Sequence, residues 1–560
     1  MNVLGGGLAI LRADFLERTR QYGFLIVLGL TLYAGYMMAP PADAGYLAFS
    51  IGGHRPYYSS AWLGTIFGAV AATLLSLVGF FLVRNAVDRD RLTRVGRILA
   101  STPMTRISYV LGKWLSNLAV LGTILTLLTL TALVMQLVRA EDSRVDLGAL
   151  LAAIWLIGLP PLAVGAALAV FVETTPVLRG SLGSILFVLL WVVWLVLPSA
   201  NVFTRPDRVF PLADLAGLSR SMVSLYAAVD AAGLRLETNA TDLFQPVGER
   251  VVQRFTWTGI AWSAGAVLER LAWTGSAALI ALVAALPFDR FDPAPLRPRW
   301  LSWMAGPRRQ TTPAARRRRS PWTRKSGGDR VPMKITGRDT PRAAGTVRLA
   351  PLDRSLRGRR FSSVVAAELR MMIRGYAWWW YGAVLILICT NLLAPARLAR
   401  GLFMPGLWLW PIGVWSAMGG RETQTLTRAL VFSAPRPLRR QLPATWLAGV
   451  LVGLAVALAT AVRPAAEGEL GHLLGLAVGA VFIPSLALAL GTWTNSNRAF
   501  EVLYVVLWYL GVLGRTTPLD FLGDSRASVE AGVPAYYLAG TFVLMALAVL
   551  GRRNQLRHPR

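Results

Sequence analysis

Apolar residues along this chain come in long unbroken runs, not in the alternating or three-and-four spacing of half-buried elements. A helix that crosses about 30 Å of hydrocarbon needs roughly 17–25 consecutive, mainly apolar residues. Runs of that kind recur from one end to the other and predict twelve spans. The first six lie near 21–39, 61–83, 114–137, 147–172, 181–198 and 266–287, and the others near 377–393, 403–419, 444–462, 472–491, 499–514 and 534–550. Two of these are candidates for re-entrant segments: 403–419 carries Pro405 and Pro411, and 499–514 is short and holds Glu501.

Composition agrees with that pattern. Of 560 residues, 54% are hydrophobic and 16% charged, which does not fit a soluble multidomain protein. Lys and Arg number 58 against 29 Asp and Glu. Basic residues are retained on the cytoplasmic side of a membrane. With both termini placed inside, 43 of the 58 basic residues fall on the inner side with 13 acids, so the inner side nets +30 and the outer side −1. Met1 to Gly7 is not basic and precedes Arg12, Arg18 and Arg20, so the start reads as a lead-in to a retained span and not as a signal peptide. The single cysteine, Cys389, excludes a disulfide within the chain. His54, His472 and His558 are too scattered for a Cys/His metal cluster, and no metal is expected.

Residues 288–360 divide the chain into a first transmembrane part (1–287) and a second (361–560). That segment holds 20 Lys/Arg against 5 acids, with Arg316 to Arg319 in a row, and reads as a flexible cytoplasmic linker attracted to anionic lipid headgroups rather than to nucleic acid. The flanking parts match each other. Asp14, Arg20 and Tyr22 correspond to Glu368, Arg374 and Tyr376 at an offset of 354. Leu92-Thr93-Arg94 corresponds to Leu426-Thr427-Arg428. At an offset of 332, Ser101-Thr102-Pro103 and Trp114-Leu115 correspond to Ser433-Ala434-Pro435 and Trp446-Leu447. The expected fold is therefore an all-α polytopic membrane protein of about twelve transmembrane helices, built as two homologous six-helix halves.

Each half opens on an amphipathic stretch. Leu8, Leu11 and Phe15 can share one helical face with Asp14, Glu17 and Arg18 mostly on others, and Phe361 to Arg374 behaves similarly, so both are expected as helices in the inner interface. The loops 84–113 and 420–443 are too long for turns. Each is expected to form a short helix broken at Ser-x-Pro, with Arg84, Arg89, Arg91, Arg94, Arg97 and Arg106 exposed in one and Arg421, Arg428, Arg436, Arg439 and Arg440 in the other. Repetition of length, break and position favours a docking element for a soluble partner over ordinary positive-inside charge.

The stretch Arg94-Val95-Gly96-Arg97-Ile98-Leu99-Ala100-Ser101-Thr102-Pro103-Met104-Thr105-Arg106, followed by Tyr109-Val110-Leu111-Gly112-Lys113, resembles the region after the second span in permeases of the ABC-2 type exporters. The second copy keeps Leu430, Ser433 and Pro435 and has Ala444-Thr445 in place of Gly-Lys. The resemblance implies a transport subunit in the cytoplasmic membrane of a bacterium, with both termini cytoplasmic. It implies that Arg94, Arg97, Ser101, Pro103 and Arg106, and Arg428, Ser433, Pro435, Arg439 and Arg440, meet two separate ATP-binding subunits, together with the interfacial helices that carry Asp14, Arg20, Glu368 and Arg374. It also implies an outer gate in the region 199–265, where Leu212–Ala232 and Val251–Ala266 are candidate short helices and Glu269 and Arg270 stand at its edge. The chain itself has no G-x-x-x-x-G-K-[ST] loop: Gly112-Lys113 runs into Trp114, and Lys325-Ser326 has no Gly before it. ATP and Mg are thus expected in the partner subunits, with no cofactor on this chain and no catalytic residue in it. An ion-coupled secondary transporter and a membrane-embedded lipid enzyme are the alternatives. Span interiors almost free of charge speak against the first. Asp88 and Asp90, expected to pair with nearby arginines, speak against the second.

Overall fold

A backbone inside hydrocarbon must satisfy its own N–H and C=O groups, so the apolar runs form helices. The computed structural model of the chain describes residues 3–291 and 361–557, apart from 21, 42–45, 52–53, 140, 143, 180, 205–213, 235–240, 247–252, 377, 426 and 434–436. Pro435, Arg436 and the basic linker from 292 to 360 lie outside the described residues.

The chain begins with α1 (Val3–Thr19), whose axis bends by 72° into α2 (Tyr22–Met38). Next, α3 (Ser60–Val70) and α4 (Ser76–Val83) form one rod interrupted by a π-turn at Ala71–Leu75. The short α5 (Ala86–Leu92) and α6 (Val95–Ala100) lead to α7 (Arg106–Arg139), α8 (Leu147–Thr174) and α9 (Ser181–Thr204). The small α10 (Leu218–Ala231) precedes α11 (Ala264–Ala284). After the linker, α12 (Phe361–Ile373) bends by 95° into α13 (Trp378–Leu393). The region expected as span 403–419 is broken into α14 (Ala396–Leu398), a π-turn at Ala399–Phe403, α15 (Met404–Leu409) and α16 (Ile412–Ser416). Then follow α17 (Arg421–Gln424), α18 (Arg428–Phe432), α19 (Pro437–Ala466) and α20 (Leu470–Thr494). The chain closes with α21 (Arg498–Leu507), which runs into a π-turn at Trp508–Leu513, then α22 (Arg526–Glu530) and α23 (Val533–Arg557).

Among the described residues, seven helices are long and apolar enough to cross a membrane: the rod Ser60–Arg91, α7, α8, α11, α19, α20 and α23. The number rises to nine if each bent pair is one span, and α9 adds a shorter apolar stretch, Leu182–Val196. Exposed stripes such as Leu130, Val134 and Leu137 on α7, or Leu451, Leu454 and Leu458 on α19, are contiguous apolar surface that water would penalise and lipid would not. These helices describe a multi-pass membrane protein. In the broken region around Pro405 and Pro411, the carbonyls of Pro405 and Trp408 accept hydrogen bonds from Trp508 Nε1 (2.8 Å), in the π-turn after α21, and from the Tyr504 hydroxyl (2.6 Å) of α21. The break is thereby satisfied by side chains, as buried backbone requires.

Where α4 packs on α21, the two parts of the chain meet. Two π-turns lie close to each other at this seam. The Tyr509 hydroxyl hydrogen-bonds Thr73, and Trp191 stacks edge-on against Tyr509 while donating to Ser76 Oγ at 3.0 Å.

One face of the molecule carries a small β cap absent from the all-α expectation. The strand β1 (Tyr46–Ile51) pairs antiparallel with β3 (Thr241–Pro246), and β2 (Arg55–Pro56) pairs parallel with β4 (Arg254–Phe255). This corrects the expected helix over Val251–Ala266: among the described residues, Arg254–Phe255 is strand, 256–263 has no regular structure and helix begins at Ala264; Arg254-Phe255-Thr256-Trp257 is rich in aromatic and β-branched residues that favour strand. Glu141 clamps the cap. It accepts both Arg55 guanidinium nitrogens (2.8 and 2.6 Å) and the Tyr58 N–H (3.1 Å), with Arg254 at 2.9 Å. Burial raises the Glu141 carboxyl, but these hydrogen bonds and the two arginine charges outweigh it and hold the group below its ordinary 4.5. A carboxylate depressed in the folded state adds stability above its unfolded value and loses that contribution as pH falls through the folded one. Wild type is therefore expected to melt above Glu141→Gln at neutral pH, with the difference shrinking below pH 4.5. Thermal unfolding of both proteins across that range checks this, and a difference that grows on acidification would contradict it.

Candidate functional site

The basic face of the molecule, opposite the β cap, carries α5, α6, α17 and α18. Its organising group is Lys113, in the first turns of α7 and only 2% exposed. The Lys113 ammonium sits 2.7 Å from Asp14 Oδ2 of α1 and 2.7 Å from Asp90 Oδ2 of α5. Arg89 of α5 adds contacts at 2.8 Å to Asp14 and to Glu17. The Tyr109 hydroxyl, one helical turn before Lys113, donates to Asp90 at 2.8 Å. One buried ion cluster thus ties the first helix, the loop helix and a long apolar helix together. Two carboxylates against one ammonium and one guanidinium leave little net charge to desolvate, the condition under which a buried cluster persists.

Gly112 makes the contact possible. A Cβ there would lie 3.0 Å from the Gly7 carbonyl oxygen and 3.3 Å from Ile10, a contact tight enough that glycine favours the close approach of α1 to α7. This corrects the expected orientation of α1. Ile10, Asp14 and Arg18, spaced by four, form its buried face, while Leu16 is exposed; the charged side turns inward because its partners are there. Arg20 is exposed.

The loop is braced from two more directions. Glu173, at the end of α8, accepts the N–H groups of Asn85, Val87 (2.6 Å) and Asp88 (3.4 Å), capping α5 from another helix. From the segment after α11, Asp289 pairs with Arg91 at 2.8 Å and Arg290 donates to the Thr102 carbonyl at 2.7 Å. Phe288 stacks on Tyr109 at 4.9 Å, and the Phe291 ring covers Gly96.

This bracing sorts the arginines expected to be exposed. Arg84 is buried and bonds Ser184, while Arg89 and Arg91 are half-buried in ion pairs. Their exposure was the wrong expectation, because α5 folds back onto α1 and α8. Asp90 pairs chiefly with Lys113, not with an arginine. Arg94, Arg97, Ser101, Pro103 and Arg106 are exposed together around α6. Among them Ile98 is 67% exposed, an aliphatic tip that charge counting missed.

In the C-terminal part of the chain, α12 lies along α19. Glu368 of α12 is buried, lies 3.7 Å from Arg421 and hydrogen-bonds Thr445. Glu422 accepts Gln441 (2.8 Å) and Arg552 of α23 (3.2 Å). Arg428 is half-buried, bonding the Gln555 carbonyl, whereas Ser433, Arg439, Arg440 and Arg374 are exposed. Leu430, at the tip of α18, is 76% exposed. Asn495, at the end of α20, bonds Thr423 at 3.1 Å. Near the β cap, Glu269 and Arg270 are not a free pair. Arg270, 1% exposed, donates to the carbonyls of Asp214 (2.7 Å) and Leu215 (3.2 Å), and Glu269 pairs with Arg220 (2.5 Å), fastening α10 to α11. Among the described residues, no group of three His, Cys, Asp or Glu side chains is placed to hold a metal ion.

No family model matches the chain, and no curated protein sequence matches it.

Proposed function

We propose that the chain is the membrane-spanning permease subunit of an ABC-2 type exporter in a bacterial cytoplasmic membrane, with its basic face in the cytoplasm and two separate ATP-hydrolysing subunits docked there. In this reading the twelve spans form two six-helix halves. The observation that carries the proposal is the pair of exposed aliphatic tips, Ile98 and Leu430, each on a short helix with exposed arginines nearby (Arg94, Arg97 and Arg106; Arg439 and Arg440), and each following a loop helix, α5 or α17, that pairs with an acid of α1 or α12. The supports recur near the repeat offsets. Asp14 and Glu368 are 354 residues apart; Ile98 and Leu430, Arg89 and Arg421, Asp90 and Glu422, and Lys113 and Thr445 are each 332 apart, with the Leu-Thr-Arg match between them at 334. Trp114 and Trp446 both donate to the next long helix, at Ala163 (3.2 Å) and Ser485 (2.8 Å). An aliphatic knob ringed by cations suits a groove on a soluble partner. Because the loop helices next to the tips, α5 and α17, are braced by ion pairs, a push on the tips is delivered to whole helices. ATP-driven closure of the partners then shifts the halves between states with different substrate affinity, the requirement for any such switch.

Co-purification of the detergent-solubilised chain with the ATPase encoded nearest to it tests this. Wild type is expected to capture two ATPase copies. Ile98→Asp with Arg97→Glu, or Leu430→Asp with Arg439→Glu, is expected to weaken capture by about tenfold or more, the scale of losing an interface hot spot. Failure to capture any ATPase with or without nucleotide would remove the motor, and ion-gradient-driven uptake into proteoliposomes would then be the competing measurement.

A further inference from the structure

Lys113 fills the space among α1, α5 and α7, but at the matching position in the C-terminal part Thr445 is shorter and uncharged. The space there is open. A cleft of about 440 Å3 lies among α12, α17 and the first turns of α19. Glu368, Glu422, Arg421 and Arg440 line it, with Arg421 3.7 Å from Glu368, and Val364 and Met371 of α12 add apolar lining. Burial pushes the Glu368 carboxyl above the ordinary range, with Arg421 only partly opposing it. Glu422 Oε2 is buried and takes no hydrogen bond. The cleft therefore holds one buried carboxylate oxygen without a donor, Glu422 Oε2, beside Glu368, and an exposed arginine, Arg440.

We propose that this cleft binds the headgroup of a zwitterionic aminophospholipid, its primary ammonium at Glu368 and Glu422 where the first part of the chain uses Lys113, and its phosphate at Arg440. A bare amine would leave Arg440 unused, and an anionic headgroup would meet two carboxylates. The apolar wall on an amphipathic helix, with Met371 57% exposed, fits the start of the acyl chains. The proposal rests on the basic face lying at lipid headgroup depth and not on any partner ATPase.

The test uses the full chain purified in detergent without ATPase, and titrates dihexanoyl phosphatidylethanolamine, the matching phosphatidylcholine and phosphatidylglycerol, and free ethanolamine, read by calorimetry. Phosphatidylethanolamine is expected to bind about tenfold tighter than the others, the scale of one charge-assisted hydrogen bond. Thr445→Lys should abolish that preference while keeping the wild-type melting temperature, because the new ammonium occupies the ligand's place. Glu368→Gln should also remove it. Should either variant misfold, Arg440→Ala, altered at an exposed position, should weaken the phospholipid without changing the response to ethanolamine. Equal binding of phosphatidylcholine or phosphatidylglycerol, equal competition by ethanolamine, or an undiminished preference in folded Thr445→Lys would each overturn the proposal.

Discussion

Replacing Lys113 with Met is expected to lower the stability of the detergent-solubilised protein by about 3–5 kcal/mol, the cost of removing one partner from a buried ion cluster. The side chain is 2% exposed and touches two carboxylates at 2.7 Å. Without its ammonium, Asp14 and Asp90 would share Arg89, which lies 2.8 Å from the first but 3.7 Å from the second. Methionine keeps most of the volume, so the loss reports charge and not a cavity. The double change Lys113→Met with Asp90→Asn is expected to recover most of it, because the amide carries no charge to strand and can still accept from Tyr109. Thermal unfolding of the three proteins in one detergent decides the matter. A loss below about 1 kcal/mol, the range of exposed pairs, would show that water reaches the cluster.

The second large effect is expected at Glu173. Asn85 turns the chain at φ 71° between α4 and α5 and supplies no side-chain cap, so the first N–H groups of α5 depend on a carboxylate from α8. Glu173→Ala is expected to cost about 2 kcal/mol or more, since a lost helix cap costs about 0.5–2 and an orphaned buried N–H about 1–3. Glu173→Gln retains an acceptor oxygen and should lose less. Hydrogen exchange at the amides of 85–88 localises the effect. Protection falling there in Glu173→Ala, ahead of α7, is the expected result, and uniform loss across the protein would contradict a local cap.

Apolar run length made the multi-pass character and the seven long apolar helices legible in the sequence, because it is a local property, while twelve runs were expected to span. The length of both loops and their Ser-x-Pro breaks likewise point to the short helices α6 and α18. What the sequence withheld depends on partners far apart along the chain. Gly112-Lys113 was visible as a motif, yet its work needs Gly7, Asp14 and Asp90 brought to it by three separate elements. Arg84, Arg89 and Arg91 look like solvent-facing charge until α8 and α1 are folded over them. The β cap escaped because β1 and β3 are separated by several helices, and neither is long enough to announce itself. Ile98 and Leu430 were overlooked for a different reason: a lone aliphatic residue carries no signal until its exposure is known.

The paired π-turns at Ala71–Leu75 and Trp508–Leu513 have a mechanical consequence. Each accommodates one residue more than the regular pitch allows, like a crease in a carpet. Such a crease can travel: handing the surplus residue one position along rotates the intervening segment by about 100°, the angle of a single helical step, while both ends of the rod stay anchored. Thr73 and Tyr509 put the two creases in mesh. The surplus residue of each rod therefore sits at the seam where the two parts of the chain touch, and a side-chain hydrogen bond joins them there.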